Sequence, residues 1–233
     1  MRLKVVLVEP IYEGNVGSIA RVMKNFGFSD LVMVNPCLLG DFGCAMASHA
    51  KDLLEEAEIF DQMEEAIKDA NLVVGSSGVK ALKTDEHLRV PTLSPSKLAT
   101  KLMGLNGTVA LLLGREDNGL SREELRVCDM IVTVPTSQDY PIMNISHAAA
   151  VILYELSHVD EGKITLAARE DRDRFIDHLR SALVESQYYP HKLEKTMLMV
   201  KRILGRAELT DREVQTLHGV IRSLRWRVKG SGE

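Results

Sequence analysis

The segment Thr108–Leu113, Thr-Val-Ala-Leu-Leu-Leu, constrains the chain more than any other. After Thr108 it offers no polar side chain to either face of an extended backbone, and it is too short for a buried helix. A strand of this kind needs a neighbour on each edge and helices above and below. Leu3–Val8 repeats the pattern, with Lys4 as its one charge and Glu9-Pro10 as its end. Leu31–Val34, Leu72–Val74 and Met130–Val134 are shorter runs of the same type. Helical stretches separate them. Asn15–Phe26 places Val16, Ile19, Ala20, Met23 and Phe26 at helical spacing and is stopped by Gly27; another lies near Gln62–Asp69. Ser94-Pro95 opens a third, the capping box Ser121-Arg122-Glu123-Glu124 a fourth, and Ile145–Leu156 is a fifth. Five strands interleaved with helices predict an α/β fold with a parallel sheet.

Composition removes several function classes. With 45% apolar residues and a net charge of −4 the chain is not disordered, and no run approaches the ~20 apolar residues of a membrane span. The N-terminus breaks into Glu9-Pro10 too soon for a secretory signal. Cys37, Cys44 and Cys128 have no metal-ligand spacing, which predicts a reduced, cytoplasmic protein without a metal site. The charge is unevenly spread. Residues 1–162 hold 14 Lys+Arg against 23 Asp+Glu, whereas residues 163–233 hold 15 against 10. A basic segment on an acidic body points to a polyanionic partner. From Thr165 onward the strand signal ends, and Glu170–Glu185, His191–Leu204 and Thr210–Arg227 read as helices, the last behind a second capping box, Thr210-Asp211-Arg212-Glu213. The expected organisation is a sheet domain over 1–160, a linker over 161–169 around Asp160-Glu161-Gly162-Lys163, and a small all-α domain over 170–233.

Ligands of open α/β sheets bind outside the carboxyl ends of the strands. Here four such ends lead into small or polar residues: Glu13-Gly14-Asn15-Val16-Gly17, Gly75-Ser76-Ser77-Gly78, Gly114-Arg115-Glu116-Asp117-Asn118-Gly119, and Pro135-Thr136 with Tyr140-Pro141-Ile142-Met143-Asn144. Turns need such residues anyway, but four at one edge point to a single crevice. It is not a common nucleotide site. Gly75–Lys80 lacks the spacing and terminal Gly-Lys-Ser/Thr of a P-loop, and Gly14–Gly17 lacks the glycine triplet of a dinucleotide fold.

Three ordered segments carry a resemblance: Glu13–Arg21 with Asn15 and Arg21 six apart, Leu113–Ser121, and Val134-Pro135 with Asn144-Ile145-Ser146. They resemble the motifs of the SPOUT (SpoU–TrmD) RNA methyltransferases, in the form of the ribose 2′-O subgroup. The likeness is nearest to the TrmJ branch, since Val34-Asn35-Pro36, Val73-Val74-Gly75 and the tail around Lys201–Ala207 fit as well. The resemblance implies a SPOUT-type α/β trefoil knot, bound S-adenosylmethionine, and a homodimer whose partner completes each active site. It implies a tRNA substrate recognised through the anticodon stem-loop, methylated on the ribose of cytidine, or also uridine, at nucleotide 32. Alternatives are the ribose of another tRNA position or of ribosomal RNA, and a non-catalytic RNA-binding protein on the same scaffold.

By this likeness Arg21 and Asn15 serve catalysis, Asn15 also as a helix cap. A permanently charged guanidinium suits stabilisation of a forming alkoxide better than proton abstraction, although the family role is stated as catalytic without that distinction. The cofactor pocket is expected from Ser76, Ser77, Gly78, Leu113, Gly114, Val134, Ile142, Met143 and Asn144. Pro141-Ile142-Met143 departs from relatives that carry a serine there, which argues against a hydroxyl-dependent step at this stretch but not against its backbone contacts. Lys80, Arg115, Lys201, Arg202 and Arg206 are expected RNA contacts, with Lys83, Arg89, Arg222, Arg225 and Lys229 as further cations, and Arg115 is alternatively a partner of Glu116. Trp226 and Tyr188-Tyr189 are expected to pack within the helical domain, with stacking on bases as the alternative.

Overall fold

A computed structural model describes residues 1–78, 91–160 and 162–230. The chain divides into two compact units, Met1–Lys163 and Ile164–Glu233. The first holds a seven-stranded sheet of β1 (Arg2–Val8), β2 (Asp30–Val34), β3 (Glu58–Phe60), β4 (Leu72–Ser76), β5 (Thr92–Leu93), β6 (Thr108–Leu113) and β7 (Met130–Val132). Its order is β3-β2-β1-β6-β4-β7-β5, and every pair is parallel. The register Arg2↔Thr108 to Leu7↔Leu113 sets the most apolar strands side by side at the centre. Strands β6 and β7 enter between strands made earlier: β6 separates β1 from β4, and β7 separates β4 from β5.

The central strands are buried on both faces, as their composition requires: Val5, Val6, Leu7, Val8, Leu111, Leu112 and Leu113 are at most 1% exposed. Each such side chain contributes about 1.5–3 kcal/mol relative to exposure. Lys4 is the exception inside β1, and its buried ammonium bonds the Asp69 carboxylate and the Ala66 carbonyl. The helices of this unit are α1 (Glu13–Asn25), α2 (Asp41–Ala47), α3 (Lys51–Glu55), α4 (Met63–Ala66), α5 (Pro95–Leu102), α6 (Arg122–Val127) and α7 (Ile145–Leu156). The expected box at Ser121 forms in full, with Ser121 Oγ accepting from Glu124 N–H and the Glu124 carboxylate accepting from Ser121 N–H. Helix α1 ends as predicted at Gly27, whose φ of 78° lets Phe28 N–H reach back to the Met23 carbonyl.

Four elements escape the sequence pattern: α2, α3 and the edge strands β3 and β5. Asn15 is not the helix cap. Helix α1 begins two residues earlier, at Glu13 behind Tyr12, with no side-chain cap.

The second unit opens with a two-residue extended stretch, Ile164–Thr165, and then holds α8 (Arg169–Glu185), α9 (Pro190–Arg206) and α10 (Asp211–Gly230). Ala167, Phe175, Val214 and Ile221 form its buried core. The second capping box is half of what the sequence suggests. The Glu213 carboxylate accepts Thr210 N–H at 2.8 Å, but the Thr210 hydroxyl donates to the same carboxylate instead of accepting from the helix.

Candidate functional site

All seven strands point the same way, so their carboxyl ends meet at one edge, and the small-residue loops open there into a cavity. Ser76 at the end of β4 with Ser77 and Gly78 after it, Gly114 after β6, and Val134, Ile142 and Met143 after β7 line it, seven of the nine expected residues. The other two stand elsewhere. Leu113 is wholly buried in the sheet. Asn144 caps α7, its Oδ1 accepting from Ser146 N–H at 2.8 Å and from the Ser146 hydroxyl at 2.7 Å. Side chains from helices complete the apolar wall: Leu125 of α6 and Ile145, Ala148 and Ile152 of α7, with Leu120 and Val132. No sequence signal separates these from ordinary core positions.

One chain of hydrogen bonds ties the motif segments together. The Glu116 carboxylate accepts from the backbone N–H groups of Ile11 (2.9 Å) and Tyr12 (3.2 Å) and from Asn15 Nδ2 (3.0 Å). Asn144 Nδ2 donates in turn to Asn15 Oδ1 at 3.2 Å. The entrance to α1, the loop after β6 and the start of α7 are therefore joined in one hydrogen-bonded assembly. Asn15 is its central link, which is a different task from capping. The loop after β6 folds back tightly: a Cβ on Gly114 would lie 2.3 Å from the Gly119 carbonyl carbon and 2.4 Å from Leu120 N. The Thr136 hydroxyl closes the last loop by donating to the Pro141 carbonyl at 2.7 Å, leaving Tyr140 82% exposed at the rim.

The nucleophile inventory is short. Burial, with the Glu116 and Glu13 carboxylates beside it, pushes the Cys37 thiol above its ordinary value, so it carries its proton at neutral pH and is no nucleophile. Among the described residues no group of three or more His, Cys, Asp or Glu is placed to hold a metal.

The expected cations fare unevenly. Arg21 is exposed on α1, on the side of Gly14 and Ser18 by helical spacing, and it does not line the cavity. Arg115 lines the cavity, but its guanidinium is taken by Glu9 and Glu124, not by Glu116 and not left for RNA. Arg202 is 3% exposed, an interior residue of the helical unit instead of a surface contact, while Lys201 and Arg206 are half-buried. Arg225 pairs with Glu185 and Arg222 is exposed. Lys80, Lys83, Arg89 and the side chain of Lys229 lie outside the described residues. Trp226 does not pack: it is 78% exposed. Tyr189 is also exposed, with Lys192 Nζ over its ring at 4.8 Å, whereas Tyr188 bonds Thr196.

Residues 2–154, which contain the whole cavity and its hydrogen-bond chain, match the model of the SpoU rRNA Methylase family. The chain belongs to that family. Beyond the SpoU domain, residues 170–233 match the model of the tRNA methyltransferase TrmJ C-terminal domain. The tRNA (cytidine-2′-O-)-methyltransferase TrmJ of Methanocaldococcus jannaschii is 38% identical, over 92% of this chain and 96% of its own. The tRNA (cytidine/uridine-2′-O-)-methyltransferase TrmJ of Klebsiella pneumoniae is 31% identical over 98% of each chain. Among solved structures, TrmJ from Z. mobilis ZM4 superposes with a TM-score of 0.76 at 27% identity, covering 96% of this chain and 99% of that one. The likeness therefore runs through both units of this SpoU methylase.

Proposed function

We propose that the protein is an S-adenosylmethionine-dependent tRNA ribose 2′-O-methyltransferase that modifies cytidine, and uridine as well, at nucleotide 32 of the anticodon loop. One observation carries the reading. The cavity at the sheet edge is built by the SpoU motif segments, locked together through Glu116, Asn15 and Asn144, in a chain whose second unit matches the TrmJ C-terminal domain. The strand order, with β6 and β7 inserted between earlier strands, supports the trefoil knot that the resemblance implies.

The residues present fit the cofactor. Val132, Val134, Leu120 and Ile145 give an apolar slot for an adenine, and the glycines beside them bring backbone polar groups within reach of it. The Glu116 and Asp117 carboxylates in the same lining complement a positive sulfonium. When bound, S-adenosylmethionine supplies an electrophilic methyl group. This chain supplies position and field. The Glu116–Asn15–Asn144 chain holds the loops in register, and Arg21 stabilises charge on the ribose 2′-oxygen without accepting its proton. Since Arg21 lies clear of the cavity of its own chain, we place it at the cavity of a second copy in a homodimer. Exposed Tyr12, Phe42 and Met46 around α1 and α2, and Val151 and Tyr154 on α7, supply the apolar surface such a dimer would cover. A tRNA substrate puts the work in the cytoplasm.

The deciding experiment incubates the protein and labelled S-adenosylmethionine with unmodified tRNA transcripts and locates the added mass after nuclease digestion. A ribose methyl on nucleotide 32, lost in Arg21→Ala while cofactor binding persists, is expected. A methyl elsewhere would keep the chemistry and remove the site assignment, and transfer only to ribosomal RNA would replace the substrate. Cofactor binding absent under all conditions would leave a non-catalytic RNA-binding scaffold.

A further inference from the structure

Arg115 sits at the neck of the loop that follows β6, and the neck is closed twice. Its backbone pairs with Gly119, N–H to carbonyl at 3.3 Å one way and 2.9 Å the other, and its own Nη1 donates to the same Gly119 carbonyl at 3.2 Å. The remaining donors leave the loop. Nε and Nη2 reach Glu9 Oε2 at 2.9 and 2.8 Å, and Nη1 and Nη2 reach the two Glu124 oxygens at 3.1 and 3.0 Å. A guanidinium carries five N–H groups; four of them make hydrogen bonds here, and Nη2 also stands within ion-pair distance of Glu9. Its charge and most of its donors are committed to the two carboxylates, not presented to a phosphate.

The two carboxylates are themselves fixed. Glu124 bonds Ser121 N–H at 2.6 Å within the cap of α6. Glu9 closes β1 in the left-handed region, φ 48°, with its N–H on the Val34 carbonyl at 2.8 Å. One planar cation thus joins the end of β1, the loop neck and the first turn of α6. Arg115 lines the cavity at the sheet edge, whereas Glu9 and Glu124 line a second cavity together with Val8 and Val34 at the ends of β1 and β2.

We propose that Arg115 is a positioning residue: clamped between Glu9 and Glu124, it sets the conformation of the Gly114–Leu120 loop and, through that loop, the affinity of the cavity for its cofactor. The second half rests on reading the cavity as the S-adenosylmethionine site. Lysine cannot replace it, because a single ammonium cannot bridge two carboxylates in a plane and hold the Gly119 carbonyl as well.

The test compares wild type with Arg115→Lys and with Glu9→Gln, a milder change at a half-exposed carboxylate that keeps an acceptor oxygen and should leave the protein folded. Three quantities are measured below the melting temperature: the Kd for S-adenosylmethionine by calorimetry, KM for tRNA at saturating cofactor, and hydrogen exchange of the Gly119 amide in the cofactor-free protein. For Arg115→Lys we expect faster Gly119 exchange and a Kd about tenfold weaker, with a smaller rise in Kd for Glu9→Gln and KM for tRNA within about twofold throughout. Unchanged Gly119 exchange and Kd in Arg115→Lys would overturn the proposal. So would a raised KM for tRNA with a shallower salt dependence and unaltered Kd, since that is the behaviour of a phosphate contact. Wild type that binds no S-adenosylmethionine would sink the reading of the cavity and the second half of the proposal with it, while Gly119 exchange still decides the first half.

Discussion

Glu116 accepts two backbone N–H groups and the Asn15 amide with a single carboxylate, and an amide side chain cannot do that: it would turn an N–H₂ toward donors. Glu116→Gln is therefore expected to cost about 0.5–1.5 kcal/mol by chemical denaturation, in the net range for hydrogen bonds that water can partly replace, and to weaken methyl transfer by loosening the entrance to α1. Glu124 shows a different dependence. Burial pushes its carboxyl up, but the hydrogen bonds from Arg115 and Ser121 outweigh this and hold it below the ordinary carboxylate range. The fold therefore favours the charged form, so its stabilisation is complete above the ordinary pKa of about 4.3 and is lost as pH falls through the lower folded value. Denaturation midpoints should drop more between pH 5 and pH 3 in wild type than in Glu124→Gln, as ordinary order-of-magnitude linkage requires.

Helix ends show what single positions do for whole elements. Helix α8 closes with Gln187 at φ 56°, its N–H on the Val184 carbonyl at 3.0 Å and Tyr188 N–H on the Leu183 carbonyl at 2.9 Å. This is the geometry Gly27 gives α1, carried here by a residue with a Cβ. Gln187→Gly should raise stability by about 0.5–1 kcal/mol in thermal unfolding, as relief of the left-handed strain exceeds the added freedom of the unfolded chain. Between α8 and α10, His178 Nδ1 and His218 Nδ1 lie 3.3 Å apart with stacked rings. Burial and the charges of Arg225, His218 and Arg222 lower the His178 pKa, against a smaller opposing effect from Glu185. The unfolded chain takes a proton there that the fold refuses, so stability present above pH about 6.5 is lost as pH falls below it. Replacing His178 with Asn should flatten the fall in melting temperature between about pH 7.5 and pH 5.5. The long or strongly capped elements were the legible ones: β1, β6, α1 and α7 follow from apolar runs, Gly27 and helical spacing. Asp41–Ala47 is only seven residues long with a glycine at its third position, and the edge strands of two and three residues are shorter than any alternation can register.

At the scale of the molecule, the basic tail on an acidic body predicts that tRNA affinity falls as salt rises. Lys201→Ala and Arg206→Ala should each reduce the log–log salt slope by about 1 if they touch phosphate. Arg202→Ala should lower the melting temperature instead, because that side chain is interior. Sequence alone grouped these three cations, since spacing along a helix does not tell which face a neighbouring helix will cover. The same limit applied at the cavity. The glycine and serine loops were readable, whereas the helix side chains that wall it, and the acids that occupy Arg115, are brought there only by the strand order. A sedimentation experiment at micromolar concentration should give a dimer; a monomer would remove the placement of Arg21 across a subunit boundary. The strand order also bears on how the protein is made. Strands β1 and β4 are synthesised long before β6, the neighbour that both require. Until residue 113 leaves the ribosome, the nascent chain carries two apolar strands with open facing edges, a ready template for pairing with another chain. Slow elongation over the residues that follow Leu113, while β1 and β4 are already outside and the strand between them is still in the exit tunnel, would lengthen that exposure, so the pace of translation downstream of this strand is expected to bear on the yield of folded enzyme.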